Sequence, residues 1–365
     1  MRIALASDAW TPQVNGVVTT LKATAATLTD LGHEVRVIRP QGLCLPCPSY
    51  PEIRLAVWPG AHVARELKRF RPHAIHLATE GPLGLAVRRY CRARGVPFTS
   101  SYHTRYPEYL RARWPIPLNA TYAWLRRFHA AAARTFVSTP SLRGQLAARG
   151  FTGLHLWRRG VDLTRFRPGD EHPQLAGLPR PILMCVGRLA VEKNLEAFLR
   201  LPLPGTKVII GDGPLRGMLA ARYPQARFLG YRIGEELARL LGTADALVFP
   251  SRTDTFGLAM IEALACGVPV AAFPVPGPLD VIEPEVTGVL HEDLATAIGG
   301  ALRLSRQGCA ARARAFSWEA ASAQFLAGLA PIPTALRATL AVSRSSAMIA
   351  RRAARRQPSR AGDAN

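Results

Sequence analysis

Apolar positions in this chain come in short blocks separated by longer segments of mixed polarity. The blocks "RIALAS", "HEVRVIRP", "IRLAVWP", "HAIHLAT" and "VPFTSSYHT" are rich in aliphatic and aromatic residues and predict strands. The segments between them carry helical spacing, which predicts helices over 17–31, ended by Gly32, and over 61–69, 83–94, 121–134 and 141–149. "TFVST" and "GLHLWRRG" predict two further strands. A stretch dense in Pro and Gly, "DLTRFRPGDEHPQLAGLPRP", then breaks the rhythm. The rhythm restarts with "PILMCVGRL", "TKVIIGDG", "ARFLGY", "DALVFPS" and "PVAAFPV". Strands alternating with helices imply parallel sheets. The expected fold class is α/β, with two doubly wound domains in series. The expected boundaries are 1–170, 171–316, a helix over 317–330 and a basic tail over 331–365, disordered or lying on a membrane surface.

Composition narrows the class. The chain has 365 residues, 48% of them apolar, which suits two globular domains. No run reaches the roughly 18–20 apolar residues of a membrane span. "MRIALASDAW" reads as a strand with Asp8 close behind it and not as a signal peptide. Most of the six cysteines sit in apolar segments, as free cytosolic thiols do. "CLPC", Cys44 to Cys47, has no second pair at zinc spacing and reads as a loop feature. No metal site is expected.

Charge is distributed unevenly. The formal net charge is +22; residues 1–170 carry +16, residues 171–330 are neutral and residues 331–365 carry +6. A basic half suits an anionic partner surface, phospholipid or nucleic acid. No helix-turn-helix, RNP-type or zinc pattern accompanies it, so nucleic acid is not an expected partner. "YLRARWPIPLNATYAWLRRF", Tyr109 to Phe128, interleaves Arg111, Arg113, Arg126 and Arg127 with Trp114, Tyr122 and Trp124, as segments at lipid headgroups do. In the tail, Arg337, Arg344, Arg351 and Arg355 share one face if it is helical.

Four stretches carry candidate chemistry. "SDAWTPQVNGVVTTL" runs from strand to helix through Asn15-Gly16, where Gly16 permits close approach and the helix start favours an anion. "VGRLAVEKN" ends a strand at Gly187 and places Arg188 and Lys193 shortly after it. A lysine near a helix start opposes the dipole and asks for an anionic partner, a ligand or else Glu192 or Glu196. "SSYHTRYPEYL" puts His103 at the mouth of the first sheet among polar neighbours. "SRTDTFGLAMIEALACG" predicts a loop and helix with Asp254 in the loop and Glu262 more than a turn into the helix. The G-x-G-x-x-G dinucleotide fingerprint is absent, and "GDGPLRG" has the wrong spacing.

Together these stretches resemble the retaining glycosyltransferases of the GT-B architecture, specifically glycosyltransferase family four, over residues 1 to 330. "SDAWTPQVNGV", "GRLAVEKN", "GDGP" and "TDTFGLAMIEALACGVPV" follow the family's order. The family's signature is two glutamates separated by seven residues; this chain has Asp254 at the first position and Glu262 at the second. "TDTFG" and "SSYHTRYPEYL" look most like a glycolipid-forming subgroup of mannosyl-, sulfoquinovosyl- and glucuronosyl-diacylglycerol transferases.

The resemblance implies two Rossmann-like domains facing a central cleft, with the C-terminal helix crossing back to the first. It implies transfer of a hexose from a UDP- or GDP-sugar to a lipid such as diacylglycerol, or to a sugar, with retention of configuration. Glu262 would accept from the ribose hydroxyls. Backbone N–H groups of Phe256, Gly257 and Leu258 would meet the distal phosphate or sugar, and Asp254 the hexose hydroxyls. Arg188 and Lys193 would neutralise the leaving diphosphate in place of a metal, and no cofactor is implied. His103 would line the hexose pocket, Gly16 and Gly187 would let backbone approach the donor, and Tyr231 would lie near the base. The implied location is cytoplasmic, peripheral on the inner face of the membrane. The alternatives are an epimerase or phosphorylase of the same fold, a non-catalytic nucleotide-sugar binder, or a nucleic-acid binder.

Overall fold

The computed structural model describes residues 1–13, 15–47 and 50–340. Its strands are β1 (Arg2–Ala6), β2 (Glu34–Ile38), β3 (Cys44–Cys47), β4 (Tyr50–Ala56), β5 (Ala74–Leu77), β6 (Thr99–Ser101), β7 (Arg134–Val137), β8 (Leu154–Leu156), β9 (Ile182–Val186), β10 (Thr206–Ile210), β11 (Arg227–Gly230), β12 (Ala246–Phe249), β13 (Val270–Ala272) and β14 (Gly288–Leu290). Among the described residues they form two parallel sheets of order β2-β1-β5-β6-β7-β8 and β11-β10-β9-β12-β13-β14, and a small β3-β4 hairpin. Both the α/β class and the pair of Rossmann-like domains are therefore as expected. The central strands β5, β10 and β12 are buried along their whole length, as parallel strands covered by helices on both faces must be. The edge strand β2 alternates instead.

Each sheet has a point where strand order reverses. In the first it lies between β1 and β5, in the second between β9 and β12. Connections leave such a pair in opposite directions, which opens a crevice beyond the strand ends. In the first sheet part of that crevice is filled from within. Asp8 accepts from the N–H groups of Leu83 and Gly84 at 2.9 and 3.3 Å, at the start of the helix Pro82–Arg94.

The C-terminal helix Trp318–Gly328 crosses back onto the first domain. Phe325 is fully buried in one apolar cluster with Ile3, Leu5 and Trp157. Arg134 Nη1 donates to the carbonyls of Gly328 and Leu329 at 3.0 and 3.3 Å, satisfying acceptors that a helix end leaves open.

Two local expectations differ, and one helix was not foreseen. "CLPC" is strand β3, paired antiparallel with β4. "RYPEYLRAR" forms a helix, Tyr106–Arg113, started by Pro107 in its first turn, where a missing N–H does no harm. Residues 331–340, read as the start of a basic tail, pack on the first domain: Ile332 donates to the His73 carbonyl at 2.7 Å, and Ile332 and Leu340 are buried beside Phe98. Arg337 lies in the short helix Thr334–Thr339, whereas Arg344, Arg351 and Arg355 lie outside the described residues.

Candidate active site at the domain seam

The crevice of the second sheet is built by two loops. One follows β9 through Gly187, whose φ of 151° suits glycine, to half-buried Arg188 and a 3-10 turn, Val191–Lys193. The other follows β12 from Pro250 to Gly257 and enters the helix Leu258–Ala265. Polar bonds join them: Asn194 Nδ2 donates to the Pro250 carbonyl at 3.1 Å, and the Ser251 and Thr253 hydroxyls donate to the Glu192 carbonyl at 3.1 and 3.2 Å. Lys193 Nζ donates to both carboxylate oxygens of Asp254, at 2.6 and 2.8 Å. Of the nearby glutamates, Glu196 pairs with Arg222 and Glu192 with Arg113.

Gly257 caps the helix Leu258–Ala265 with φ 89°; a Cβ there would stand 2.6 Å from Met260 Cε and 2.8 Å from Phe249 Cζ. Only glycine lets the chain turn into the helix this close to the sheet. The Phe256 ring is buried and packs edge-on to Phe316, which leaves its backbone as the part able to meet a ligand. Glu262, more than a turn into that helix, is half-buried. Burial pushes its carboxyl up to about 7, against the pull of Arg165. Burial first, then the nearby Glu262 carboxylate, push the Tyr231 phenol up to about 12. Glu262 thus lies within electrostatic range of Tyr231 and Arg165, which come from two other segments.

The first domain closes over these loops. Its helix Gly16–Asp30 is capped by Asn15, whose side chain accepts from Val18 N–H at 3.0 Å. A Cβ on Gly16 would lie 3.7 Å from Leu258 Cδ1, so two helix starts face each other across the seam. Both favour an anion between them. Ser138 Oγ donates to the Thr255 carbonyl at 2.6 Å, and Thr255 Oγ1 to the His103 carbonyl at 2.8 Å. Arg113 Nη2 donates to Glu192 Oε2 at 2.5 Å. The Tyr109 phenol is pushed well up by burial and by Asp254 and Glu192, which marks it as a further neighbour of the Lys193 pair.

The structure brings together Lys193 and Asp254, Gly16 and Leu258, and His103 and the loop of Asp254. Sequence reasoning missed Arg113, Ser138, Thr255, Tyr109 and Arg165. Thr255, Tyr109 and Arg113 lie inside quoted stretches, but their partners are long-range in sequence and no local pattern announces them. Two residues of the aromatic–basic segment turn out to be internal: Arg113 faces Glu192, and the Tyr122 hydroxyl donates to Glu108 Oε1 at 2.6 Å. Arg111, Trp114, Trp124, Arg126 and Arg127 are exposed as expected.

Residues 14–165 match the family model "Glycosyltransferase Family 4", and residues 180–304 match "Glycosyl transferases group 1". The chain is 34% identical over 316 residues to a GDP-mannose-dependent alpha-mannosyltransferase of Mycobacterium tuberculosis, covering 80% of this chain and 83% of that protein. It is 31% identical over 258 residues to the sulfoquinovosyl transferase SQD2 of Arabidopsis thaliana, covering 67% of this chain and 51% of that one. Among solved structures, sucrose-phosphate synthase from Thermosynechococcus elongatus superposes with a TM-score of 0.72 at 21% identity, covering 89% of this chain and 97% of that one. Anabaena HepE with UDP and glucose superposes with a TM-score of 0.66 at 15% identity, covering 89% and 98%. These two likenesses concern the fold. The sequence motifs, the two facing Rossmann-like domains and the extent of the match to its relatives together establish that the chain belongs to glycosyltransferase family 4 and is a nucleotide-sugar-dependent glycosyltransferase.

Proposed function

We propose that the protein moves a hexose from a GDP- or UDP-sugar to a membrane lipid such as diacylglycerol, with retention of anomeric configuration and without a metal. The observation that carries this reading is the approach of Gly16 to Leu258 at the reversal point of the second sheet. A diphosphate there would meet two helix starts, with Lys193 and Arg188 in the adjoining loop to take up charge as the glycosidic bond breaks. Glu262 would hold the ribose diol, with Tyr231 close by near the base. Asp254 and His103 would hold the hexose from opposite sides of the seam. On this reading residues 1–170 form the acceptor side and 171–316 the donor side. Same-face attack, with a phosphate oxygen helping to deprotonate the acceptor, fits a seam whose carboxylates are already engaged, Asp254 by Lys193 and Glu192 by Arg113.

GDP-mannose is the first donor to test, because relatives at 34% identity are named for it. The lipid acceptor draws support from two basic surfaces of the first domain. One carries Arg111, Trp114, Ile116, Trp124, Arg126 and Arg127. The other is a basin of about 550 Å³ lined by Arg2, Arg65, Lys68, Arg69 and Arg71. Such surfaces attract an anionic leaflet, and peripheral binding at the inner face of the cytoplasmic membrane would bring the site to its acceptor. The decisive test is a transfer screen of GDP- and UDP-sugars against diacylglycerol, glycolipid and phosphoinositide acceptors. The anomer of the product is read by NMR. Transfer only to soluble sugars, or inversion, would refute the corresponding part.

A further inference from the structure

His103 and Arg159 reach each other from two strands that are not neighbours, β6 and β8. Arg159 is 4% exposed and His103 9%. Arg159 Nη2 lies 3.1 Å from His103 Nδ1, while Nη1 donates to the carbonyls of Trp157 and Arg158 at 2.6 and 3.3 Å. The guanidinium also lies over the Trp157 indole, 4.4 Å from its centre. Among the described residues no carboxylate comes within ion-pair distance of it. A buried arginine held by carbonyls and an imidazole alone is unusual, since a buried charge is ordinarily paired.

The chemistry of this contact leaves one choice. A guanidinium has only donors and keeps its protons, so His103 Nδ1 must be the acceptor and carry no hydrogen. The ring proton of neutral His103 then sits on Nε2. That nitrogen is buried and has no hydrogen-bond partner among the described residues. A second proton is opposed by burial first and then by the charges of Arg159, His76 and His129, which hold the ring's pKa well below the usual histidine range. The His103 carbonyl accepts from Thr255, next to Asp254, so the residue that carries the unpartnered N–H stands at the seam.

We propose that Arg159 is a positioning residue of the transfer site: it locks His103 in the neutral Nε2–H form, so that His103 donates a hydrogen bond to a hexose oxygen and takes no proton during the reaction. The hexose contact rests on the function proposed above, whereas the lock does not. Histidine-selective ¹⁵N labelling and long-range ¹H–¹⁵N spectra read the tautomer directly in the full-length protein. In the wild type the His103 signals should show an unprotonated Nδ1 and a protonated Nε2, unchanged from pH 5.5 to 8.5. A charged ring or an Nδ1–H form in that range overturns the proposal, even if no variant folds. Arg159→Met should give mixed tautomers and lower kcat by ~10²-fold, the scale of one lost preorganised donor, with nucleoside diphosphate affinity unchanged. Arg159→Lys, still a donor, should restore the tautomer and part of kcat. An Arg159→Met protein with wild-type tautomer and kcat overturns the lock. A lock that holds while His103→Ala leaves kcat and donor KM unchanged overturns the hexose contact alone.

Discussion

Lys193 and Asp254 bind each other across the reversal point of the second sheet, with Nζ 2.6 and 2.8 Å from the two carboxylate oxygens. Their side chains are 23% and 14% exposed, so the pair is shielded and water screens it weakly. The proposed donor takes Lys193 at its diphosphate and Asp254 at its hexose, and therefore has to part them. Asp254→Asn should release Lys193. The expected result is nucleoside diphosphate affinity raised about 3–10-fold, with turnover lowered ~10²-fold. Calorimetry with GDP and UDP, beside transfer kinetics, reads both. Parallel loss of affinity and turnover would mean that Asp254 serves only to hold Lys193 in place.

Glu262 sets a pH dependence. Burial raises its carboxyl to about 7, and only the ionised form accepts through both oxygens and with a full charge. Nucleotide-sugar affinity should therefore rise with pH through 7, by about tenfold from pH 6 to pH 8. The intact sugar nucleotide is the right probe, because its diphosphate does not titrate in that window. Glu262→Gln should flatten the profile and weaken binding about 10–100-fold at pH 8, the size of one or two charge-assisted hydrogen bonds. A pH-dependent Glu262→Gln protein with wild-type affinity would remove the ribose assignment.

Two glycines should respond in opposite ways. Gly257→Ala meets φ 89° and contacts of 2.6 and 2.8 Å, and should lose about 1–3 kcal/mol of stability, read by thermal or denaturant unfolding. At Gly16 the backbone is already helical and a Cβ finds an ordinary 3.7 Å contact. Gly16→Ala should fold with near wild-type stability, yet fill the gap between the helix starts and lower kcat/KM. Normal activity in Gly16→Ala would show that nothing passes between them.

Vesicle co-sedimentation tests the basic surfaces. Binding to anionic vesicles at low salt and release at high salt are expected, with each exposed arginine contributing about 1 kcal/mol. Replacing Arg111, Arg126 and Arg127 by Ala should weaken it. Arg113→Ala should not, because Arg113 bonds Glu192 at the seam; its effect should fall on turnover. Indifference to anionic vesicles would favour a soluble acceptor.

Strong chelation should leave transfer intact, since Arg188 and Lys193 are assigned the charge that a divalent ion would otherwise supply. Activity abolished by chelator and restored by a single divalent ion would refute this, and Lys193→Ala would then cost little.

The sequence by itself determined the architecture. Alternating apolar blocks can be buried only as parallel strands under helices, and the break near 162–181 divides them into two domains. It also marked the loops after β9 and β12, because glycines and charged residues at strand ends are local features. Tertiary structure decided which side chains meet. The sequence offered Lys193 two protein partners, Glu192 and Glu196, whereas in the structure it bonds Asp254, 61 residues away, because the reversal of strand order sets those loops side by side. Arg113 read as a surface cation and became a seam contact, since its helix packs on the 3-10 turn of the other domain. His103 was legible as a polar residue at a sheet mouth, but its tautomer depends on Arg159, brought beside it from β8. Hydrophobic periodicity is written along the chain, whereas pairing of charges depends on distances that exist only once both sheets have formed.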